Sequence, residues 1–198
     1  MQMRYIVTVI AVGLLAAYAA AQAPTLDIGS QAPPLEIDLL QGGPVDIEAG
    51  KGQKVYVVEF WATWCGPCRR SIPHLSALYT RYRDKGLEIV GISAEDAKTV
   101  QPYVKRLGKK MSYTVAVDRN RQTLRRYMGG FNVSTIPHAF VVDWNGQIIW
   151  HGNPMEPIFE DLVEALMEEG PPQLDSSEEG GEAPVQDALA GPPPPDSE

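Results

Sequence analysis

Residues 55–68 read Val-Tyr-Val-Val-Glu-Phe-Trp-Ala-Thr-Trp-Cys-Gly-Pro-Cys, and this stretch decides the fold. Its first six residues are β-branched or apolar on both faces apart from one acid, which predicts a buried central strand. Pro67 is tolerated in the first turn of a helix, and apolar residues then recur at steps of three and four up to Gly86. The sequence therefore predicts a strand, a turn that carries Cys65 and a following helix.

Strands and helices alternate after this unit, which indicates parallel strand pairing and an α/β fold class. The pattern predicts strands at 87–93 and 113–117, helices at 97–107 and 122–127, a hairpin with strands at 139–143 and 147–151, and a closing helix at 156–167. Ahead of the unit, segments 35–38 and 45–47 predict a small N-terminal hairpin.

The N-terminal residues have the composition of an export segment. Arg4 is followed by an apolar run at 5–18 and a small-residue stretch at 19–23, and cleavage after Ala21 fits this order. The same run approaches the roughly 20 residues that span a bilayer, so residues 1–23 are expected to be either a signal peptide or a membrane anchor. Both outcomes place the body outside the cytoplasm, in the periplasm or tethered to the outer face of the cytoplasmic membrane.

The body is expected to be one domain at 24–169, followed by a disordered tail at 170–198 that is rich in Pro, Gly and acids. The tail holds seven acids and no Lys or Arg, whereas the net charge of the whole chain is -8. The rest of the chain is therefore close to neutral. Because no concentrated basic face is indicated, no nucleic-acid partner is expected.

The only two cysteines, Cys65 and Cys68, are separated by two residues. As a structural staple, a bond across so small a loop would contribute about 2 kcal/mol, against about 3 kcal/mol for a loop of about 15 residues. A zinc site needs further ligands, and only three histidines are available, so no metal or other cofactor is expected. The remaining role for the pair is redox chemistry.

The predicted strand, turn and helix assign different roles to the two sulfurs. Cys65 lies at a helix N-terminus, where unpaired N–H groups and the helix dipole favour the thiolate, so it is the predicted attacking sulfur. Cys68 lies one turn inside the helix and is more shielded. It suits the resolving role, in which it breaks the mixed disulfide that Cys65 forms with a partner.

Two acids are candidate catalytic residues. Glu59 interrupts the apolar strand, and a carboxylate buried there should have a raised pKa and exchange a proton with Cys68. The alternative is a strand-end carboxylate that reaches water or pairs with a lysine. Glu95 follows the second predicted strand and is a candidate for the same neighbourhood, although acids also commonly start helices.

Residues 60–68, Phe-Trp-Ala-Thr-Trp-Cys-Gly-Pro-Cys, and the later Thr135-Ile136-Pro137 resemble the thioredoxin superfamily. The export signal, the Trp-Ala-Thr-Trp-Cys run and the helix at 97–108 are similar to the TlpA/ResA-type extracytoplasmic reductases. The resemblance covers residues 31–167. It implies a thioredoxin-like three-layer fold, with a central mixed sheet, helices on both faces, an N-terminal hairpin and an extra central helix.

The resemblance also implies the conformation and roles of several residues. It implies a cis peptide bond between Ile136 and Pro137, which sets the Ile136 backbone beside Cys65 to pair with the main chain of a substrate. Glu59 matches the family's buried acid position. Glu95 matches a carboxylate found near the thiols in ResA-like members.

The candidate substrate-binding residues are Trp64, Gly66, Pro67, Ile136, Pro137 and His138. His138 departs from the family pattern, in which Thr usually follows the cis proline. An imidazole near the thiols could stabilise the Cys65 thiolate when charged, or assist the binding of a soft metal such as copper. The alternative is a rim histidine that only packs.

These observations predict a thiol–disulfide oxidoreductase that reduces disulfides in exported proteins with its Cys65/Cys68 dithiol, for example during cytochrome c maturation. Gly-Pro between the cysteines resembles reducing thioredoxins and favours reduction over oxidation. The expected partners are protein disulfides and a transmembrane thiol electron donor, with membrane tethering through the N-terminus if the leader is retained.

Two other functions remain open at this point. A copper or haem-pathway metallochaperone would use Cys65, Cys68 and His138 and would need a third soft ligand, for which only Met128 and Met155 are candidates. A peroxiredoxin-like peroxidase attacks peroxide with a cysteine in a different sequence setting. The Trp-Cys-Gly-Pro-Cys run argues against that function.

Overall fold

The computed structural model describes residues 25–172, which form a six-stranded sheet flanked by helices. The strands are β1 Ile37–Gln41, β2 Val55–Trp61, β3 Leu87–Ser93, β4 Thr114–Asp118, β5 His138–Val142 and β6 Ile148–Gly152. The helices are α1 Cys68–Tyr82, α2 Ala97–Leu107, α3 Gln122–Leu124, which continues as a π-helical turn at Arg125–Gly129, and α4 Pro157–Glu169. Three-residue 3₁₀ turns follow α1, α2 and β4.

The sheet is mixed, with the order β1-β4-β3-β2-β5-β6. The central strands β2, β3 and β4 run parallel, as the alternation of strands and helices predicted. The outer strands β1, β5 and β6 pair antiparallel with their neighbours. All seven residues of β2 are buried, which confirms the central strand predicted from its apolar run.

The side chains of β2 alternate between two cores, one on each face of the sheet. Val57 and Trp61 lie in the core that α1, α2 and α4 cover, and Glu59 between them contacts α1. Val58 and Phe60 lie in the opposite core, which is covered by α3 and by the residues that precede β2. The three layers with helices on both faces confirm the predicted fold class.

The extra central helix is present, and α2 occupies residues 97–107 as the sequence predicted. It buries Val100, Tyr103 and Val104 against the α1 side of the core. The helix ends at Gly108, whose φ of 52° lies in the left-handed region that favours glycine. Residues 122–127 are less regular than predicted, because α3 has a single α-helical turn before the π-helical turn.

The predicted N-terminal hairpin does not form. Its first segment becomes β1, which pairs antiparallel with β4 at the edge of the sheet, and residues 45–47 form no strand. Val45 and Ile47 instead pack into the core on the α3 face. The open edge of β4 offers β1 a ladder of four residue pairs and a large apolar surface, which an isolated two-stranded hairpin lacks.

The predicted leader at 1–23 and nearly all of the predicted tail at 170–198 lie outside the described residues. Between residues 25 and 172, no helix combines the length and apolar character needed to cross a membrane. The domain limits 24–169 remain a prediction.

Candidate active site

The two cysteines lie between the end of β2 and the start of α1, and Cys68 is the first residue of α1. Their sulfurs form a disulfide, and 3% of Cys65 and none of Cys68 is exposed. The backbone N–H of Cys68 points at Cys65 Sγ over 3.2 Å. An N–H of the first turn of α1 thus faces the sulfur that we predict to attack, in a position that favours a thiolate.

A second loop approaches the same sulfur just before β5. The Ile136–Pro137 peptide bond is cis, as the resemblance implied. The carbonyl oxygen of Ile136 lies 3.8 Å from Cys65 Sγ, while Pro137 is buried. The Ile136 backbone is therefore beside Cys65, where it can pair with an extended peptide chain.

The other candidate substrate-binding residues surround this pair of loops. Trp64 is 71% exposed although it is a large aromatic residue, Pro67 is exposed and Gly66 is half-buried. Trp64 and Ile136 line one cavity of about 250 Å³ together with Glu95. An exposed aromatic ring next to the cysteine pair is a suitable contact for a protein substrate.

Glu59 is completely buried and lies under α1, on the same face of the sheet as Cys68. Its Oε1 accepts a hydrogen bond from Ser71 Oγ at 2.9 Å, and its Oε2 accepts one from the Tyr113 hydroxyl at 3.0 Å. Burial raises the pKa of Glu59 to about 7, against the smaller lowering effect of the two hydrogen bonds. A raised pKa is the direction that the place of Glu59 in an apolar strand predicted, whereas its exchange of a proton with Cys68 stays a prediction.

Sequence reasoning missed Ser71 and Tyr113, the two hydroxyl groups that hold Glu59. Ser71 lies one turn after Cys68 in α1, and its hydroxyl is also 3.0 Å from the carbonyl oxygen of Cys68. Tyr113 precedes β4 and reaches across β3 to Glu59 in β2. The available signal was Gly91, because a glycine inside a buried strand often marks the close approach of another group.

Glu95 contacts the loop that leads to the cysteines. Its carboxylate accepts hydrogen bonds from the Thr63 backbone N–H at 2.7 Å, the Thr63 hydroxyl at 2.8 Å and the Ser93 hydroxyl at 3.1 Å. These bonds tie the end of β3 to the turn after β2. Glu95 is thus in the expected neighbourhood, but its hydrogen-bond partners are Thr63, in the turn before Cys65, and Ser93, at the end of β3.

His138 lies in register with Phe60, so its side chain is on the α3 face, opposite the Glu59 face of the sheet. Its Nε2 is 3.0 Å from Nδ1 of His151, and its ring packs on Phe140 with centroids 5.1 Å apart. Burial, and to a smaller extent His151, lowers the pKa of His138 to about 4. The imidazole is therefore neutral near pH 7 and pairs with a second histidine.

The described part of the chain contains no cluster of side chains that could bind a metal ion. Among residues 25–172, no group of three or more His, Cys, Asp or Glu side chains is placed to hold a metal ion. The histidine pair lies on strands β5 and β6, whereas the cysteine pair lies at the start of α1.

Comparison with known proteins decides the family. Residues 28–151, more than half of the chain, match the family described as AhpC/TSA. The chain belongs to the AhpC/TSA family. Curated relatives of this chain carry the name "Thiol-disulfide oxidoreductase ResA", and two of them serve as examples. The Bacillus anthracis protein is 30% identical over 125 residues, which cover 63% of this chain and 68% of the relative. The Geobacillus kaustophilus protein is 32% identical over 122 residues, with coverage of 61% and 66%.

Solved structures share the fold of this chain. A thiol:disulfide interchange protein of the thioredoxin family from Chlorobium tepidum has a TM-score of 0.56 at 27% identity, over 70% of this chain and 98% of its own. The thioredoxin domain of a Bacteroides vulgatus thiol-disulfide oxidoreductase has a TM-score of 0.60 at 23% identity, over 72% and 99%, and supports the fold. These comparisons confirm a thioredoxin-like fold and the expected enzyme class, a thiol–disulfide oxidoreductase of the ResA type.

Proposed function

We propose that this protein reduces disulfides in exported proteins with a Cys65/Cys68 dithiol, for example the cysteines of cytochrome c precursors. One observation carries the proposal: Cys65 Sγ lies between an N–H of α1 and the carbonyl oxygen of Ile136. The first group stabilises a thiolate, and the second lies where an extended substrate chain can pair. The proposed catalytic residues are Cys65, Cys68 and Glu59, and the proposed substrate contacts are Trp64 and the Ile136–Pro137 loop.

In the first step, the Cys65 thiolate attacks one sulfur of the partner's disulfide. A bond forms between Cys65 Sγ and that sulfur, the partner's S–S bond breaks, and the other partner sulfur leaves as a thiolate that takes a proton from solvent. The product is a mixed disulfide between this protein and its partner. Trp64 and the Ile136–Pro137 loop hold the partner chain during this exchange.

In the second step, Cys68 gives its proton to the Glu59 carboxylate and attacks Cys65 Sγ. The Cys65–Cys68 disulfide forms, the mixed disulfide breaks, and the second partner sulfur leaves as a thiolate that takes a proton from solvent. Glu59 releases the Cys68 proton to solvent before the next cycle. The partner has gained two electrons and two protons, and the dithiol of this protein has lost them. A transmembrane thiol donor would then return the Cys65–Cys68 disulfide to the dithiol.

Glu59 suits the proton-carrier role because its pKa of about 7 lies close to the working pH of an exported protein. An acid with an ordinary pKa would hold too few protons there to exchange them in each cycle. We assign Glu95 the supporting role of fixing the turn before Cys65 through its bonds to Thr63.

The location and the electron source rest on the sequence. The order of charge, apolar run and small residues at 1–23 supports export, with release or anchoring as the two outcomes. Gly66-Pro67 between the cysteines supports the reducing direction, which requires an outside donor of electrons.

The test compares two single substitutions with the parent protein in insulin reduction and in non-reducing gels of trapped partners. Cys65→Ser should abolish disulfide reduction, whereas Cys68→Ser should accumulate mixed disulfides because the resolving thiol is missing. Normal turnover by Cys68→Ser, or stronger trapping by Cys65→Ser than by Cys68→Ser, would contradict the assigned roles. Hydrogen peroxide consumption, measured in parallel, should stay at the level of the Cys65→Ser variant. Rapid peroxide turnover by the parent would instead favour a peroxidase.

A further inference from the structure

The hydrogen-bond partners of Glu59 are both neutral hydroxyl groups. Each carboxylate oxygen accepts one bond, Oε1 from Ser71 and Oε2 from Tyr113, and among residues 25–172 no Lys, Arg or His forms an ion pair with it. All three side chains are at most 1% exposed. Glu59, Ser71 and Tyr113 thus form a closed buried unit, which we call the Glu59 triad.

Ser71 has two acceptors for a single proton. Its Oγ is 2.9 Å from Glu59 Oε1 and 3.0 Å from the carbonyl oxygen of Cys68. When Glu59 is ionised, the Ser71 hydroxyl must donate to the carboxylate. When Glu59 is protonated, the acid can donate to Ser71 Oγ, and the Ser71 hydrogen is then free to turn to Cys68.

Tyr113 differs from Ser71 in its role, because its hydroxyl has a single acceptor. Among the described residues, only Glu59 accepts a hydrogen bond from it. Burial and the adjacent Glu59 raise the pKa of Tyr113 well above its ordinary value, so the hydroxyl keeps its proton. A permanent donor at Oε2 fixes the plane of the carboxyl group. It therefore leaves Oε1, beside Ser71, as the oxygen that gains and loses the proton.

The path of Tyr113 to Glu59 depends on Gly91. Gly91 lies opposite Glu59 in the parallel ladder between β2 and β3. A methyl group at Gly91 would lie 2.9 Å from Cε2 of Tyr113 and 3.1 Å from Nε1 of Trp61. Since real side chains avoid such distances, the ring can cross β3 only because this residue has no Cβ.

We propose that Tyr113 and Ser71 are positioning residues that hold Glu59 in one orientation and transmit its protonation state to the backbone of Cys68. This inference rests on the proposed function, in which Glu59 exchanges a proton with Cys68. Tyr113 acts through Glu59 alone. Ser71 acts on both Glu59 and Cys68, because its one hydrogen is shared between them.

The first experiment follows the titration of the Glu59 carboxyl carbon by ¹³C NMR in the oxidised full-length protein. Tyr113→Phe removes a donor to the ionised form, so the midpoint should rise by about one pH unit. Ser71→Ala should raise it in the same direction. The matched control for Tyr113→Phe is Tyr127→Phe, which removes a buried hydroxyl that donates to Pro33 on the other face. The midpoint should not move in this control.

The second experiment measures the pH dependence of mixed-disulfide resolution. Tyr113→Phe should shift the profile to higher pH with little change in its maximum, whereas Ser71→Ala should also lower the maximum severalfold. The control for Ser71→Ala is Ser76→Ala, which removes a buried hydroxyl of α1 that donates to the Lys110 carbonyl. Its profile should match that of the parent.

The outcomes separate this inference from the proposed function. An unmoved Glu59 midpoint in Tyr113→Phe and Ser71→Ala overturns the positioning roles, whatever the reaction. A parental pH profile in Glu59→Gln overturns the proton-carrier function of Glu59, even if both midpoints shift. If Tyr113→Phe fails to fold, the Ser71→Ala titration decides, and an unmoved midpoint there overturns the inference.

Discussion

Glu59 is an acid whose buried partners supply hydrogen bonds but no positive charge. Desolvation therefore decides its behaviour, and its pKa is raised to about 7 from the ordinary value of 4.5. Between these two values the folded protein binds a proton that the unfolded chain has lost. The free energy of unfolding consequently falls as the pH rises through this window. The full destabilisation by the buried carboxylate is present above about pH 7.

Glu59→Gln should remove this pH-dependent cost. Relative to the parent, the variant should gain on the order of 3 kcal/mol in the free energy of unfolding between pH 5 and pH 8.5. Denaturant unfolding at the two pH values checks this, with Glu168→Gln, at an exposed position, as the charge-matched control. Parallel stability curves for Glu59→Gln and the parent would show that Glu59 is ionised and well stabilised in the folded protein.

Trp64 allows binding and stability to be separated, because its ring is 71% exposed and contributes little to the core. Trp64→Ala should raise KM for a protein disulfide about tenfold, since exposed aromatic residues often carry much of the energy of an interface. The melting temperature and the reduction of a small aromatic disulfide should stay near parental values. A loss of activity that is equal for protein and small disulfides would assign Trp64 to the chemistry instead of partner binding.

At the scale of elements, β3 must leave room for two aromatic side chains that pass over it. Gly91→Ala should destabilise the protein by about 1–3 kcal/mol, because the added methyl group meets the rings of Tyr113 and Trp61. The control is Gly43→Ala, where no atom lies within 4 Å of the added methyl group. Denaturant midpoints of both variants provide the test, and equal stability of the two variants would contradict the crowding at β3.

The β5–β6 pair carries its own pH dependence through His138 and His151. The pKa of His138 is lowered to about 4 from 6.5, so the unfolded chain binds a proton in this window before the folded protein does. The stability contributed by the neutral pair is thus present above about pH 6.5 and is lost as the pH falls towards 4. The full shift corresponds to about 3 kcal/mol, and because solvent screens a histidine pair that is only partly buried, the expected loss is about 2 kcal/mol.

His138→Gln should reduce this acid sensitivity, because the group that must charge on unfolding is absent. Denaturant midpoints at pH 7.5 and pH 4.5 measure the effect. His74→Gln, a substitution of the half-buried histidine in α1, is the control. An acid sensitivity of His138→Gln equal to that of the parent would exclude the histidine pair as its cause.

The elements that the sequence predicted well are those whose own pattern is sufficient. The bounds of α2 follow from its apolar spacing and from Gly108, and β2 follows from its continuous apolar run. The position of β1 could not be predicted, because short amphipathic strands specify a buried face but not a partner. Its pairing with β4 depends on the open edge that the rest of the sheet creates.

For the whole molecule, the residues of the candidate site also divide into those that the sequence predicted and those that depend on the tertiary structure. The roles predicted for Cys65 and Cys68 follow from a local motif, and the burial of Glu59 follows from its apolar neighbours. The cis peptide at Ile136–Pro137 was implied by the resemblance to the thioredoxin superfamily. Tyr113 is far from Glu59 in sequence and meets it only through the order of three strands. The face occupied by His138 was equally hidden, since it depends on the register of β5 against β2.

The acidic C-terminal residues allow a prediction about the intact chain. Truncation after Gly170 should leave the melting temperature and disulfide exchange unchanged, because the removed sequence is too polar and proline-rich to bury apolar surface. Calorimetry and insulin reduction on the full and truncated chains provide the comparison. A fall of many degrees in melting temperature would show that these residues stabilise the domain.

The central sheet separates two titratable groups, Glu59 on one face and the His138–His151 pair on the other. Glu59 and its hydroxyl partners respond around pH 7 on one side, whereas the paired imidazoles respond only in stronger acid on the other. The location that we propose for this enzyme, outside the cytoplasm, has no buffered cell interior to protect it. In such surroundings a modest fall in the ambient pH would slow turnover, well before the pH became low enough to unfold the chain.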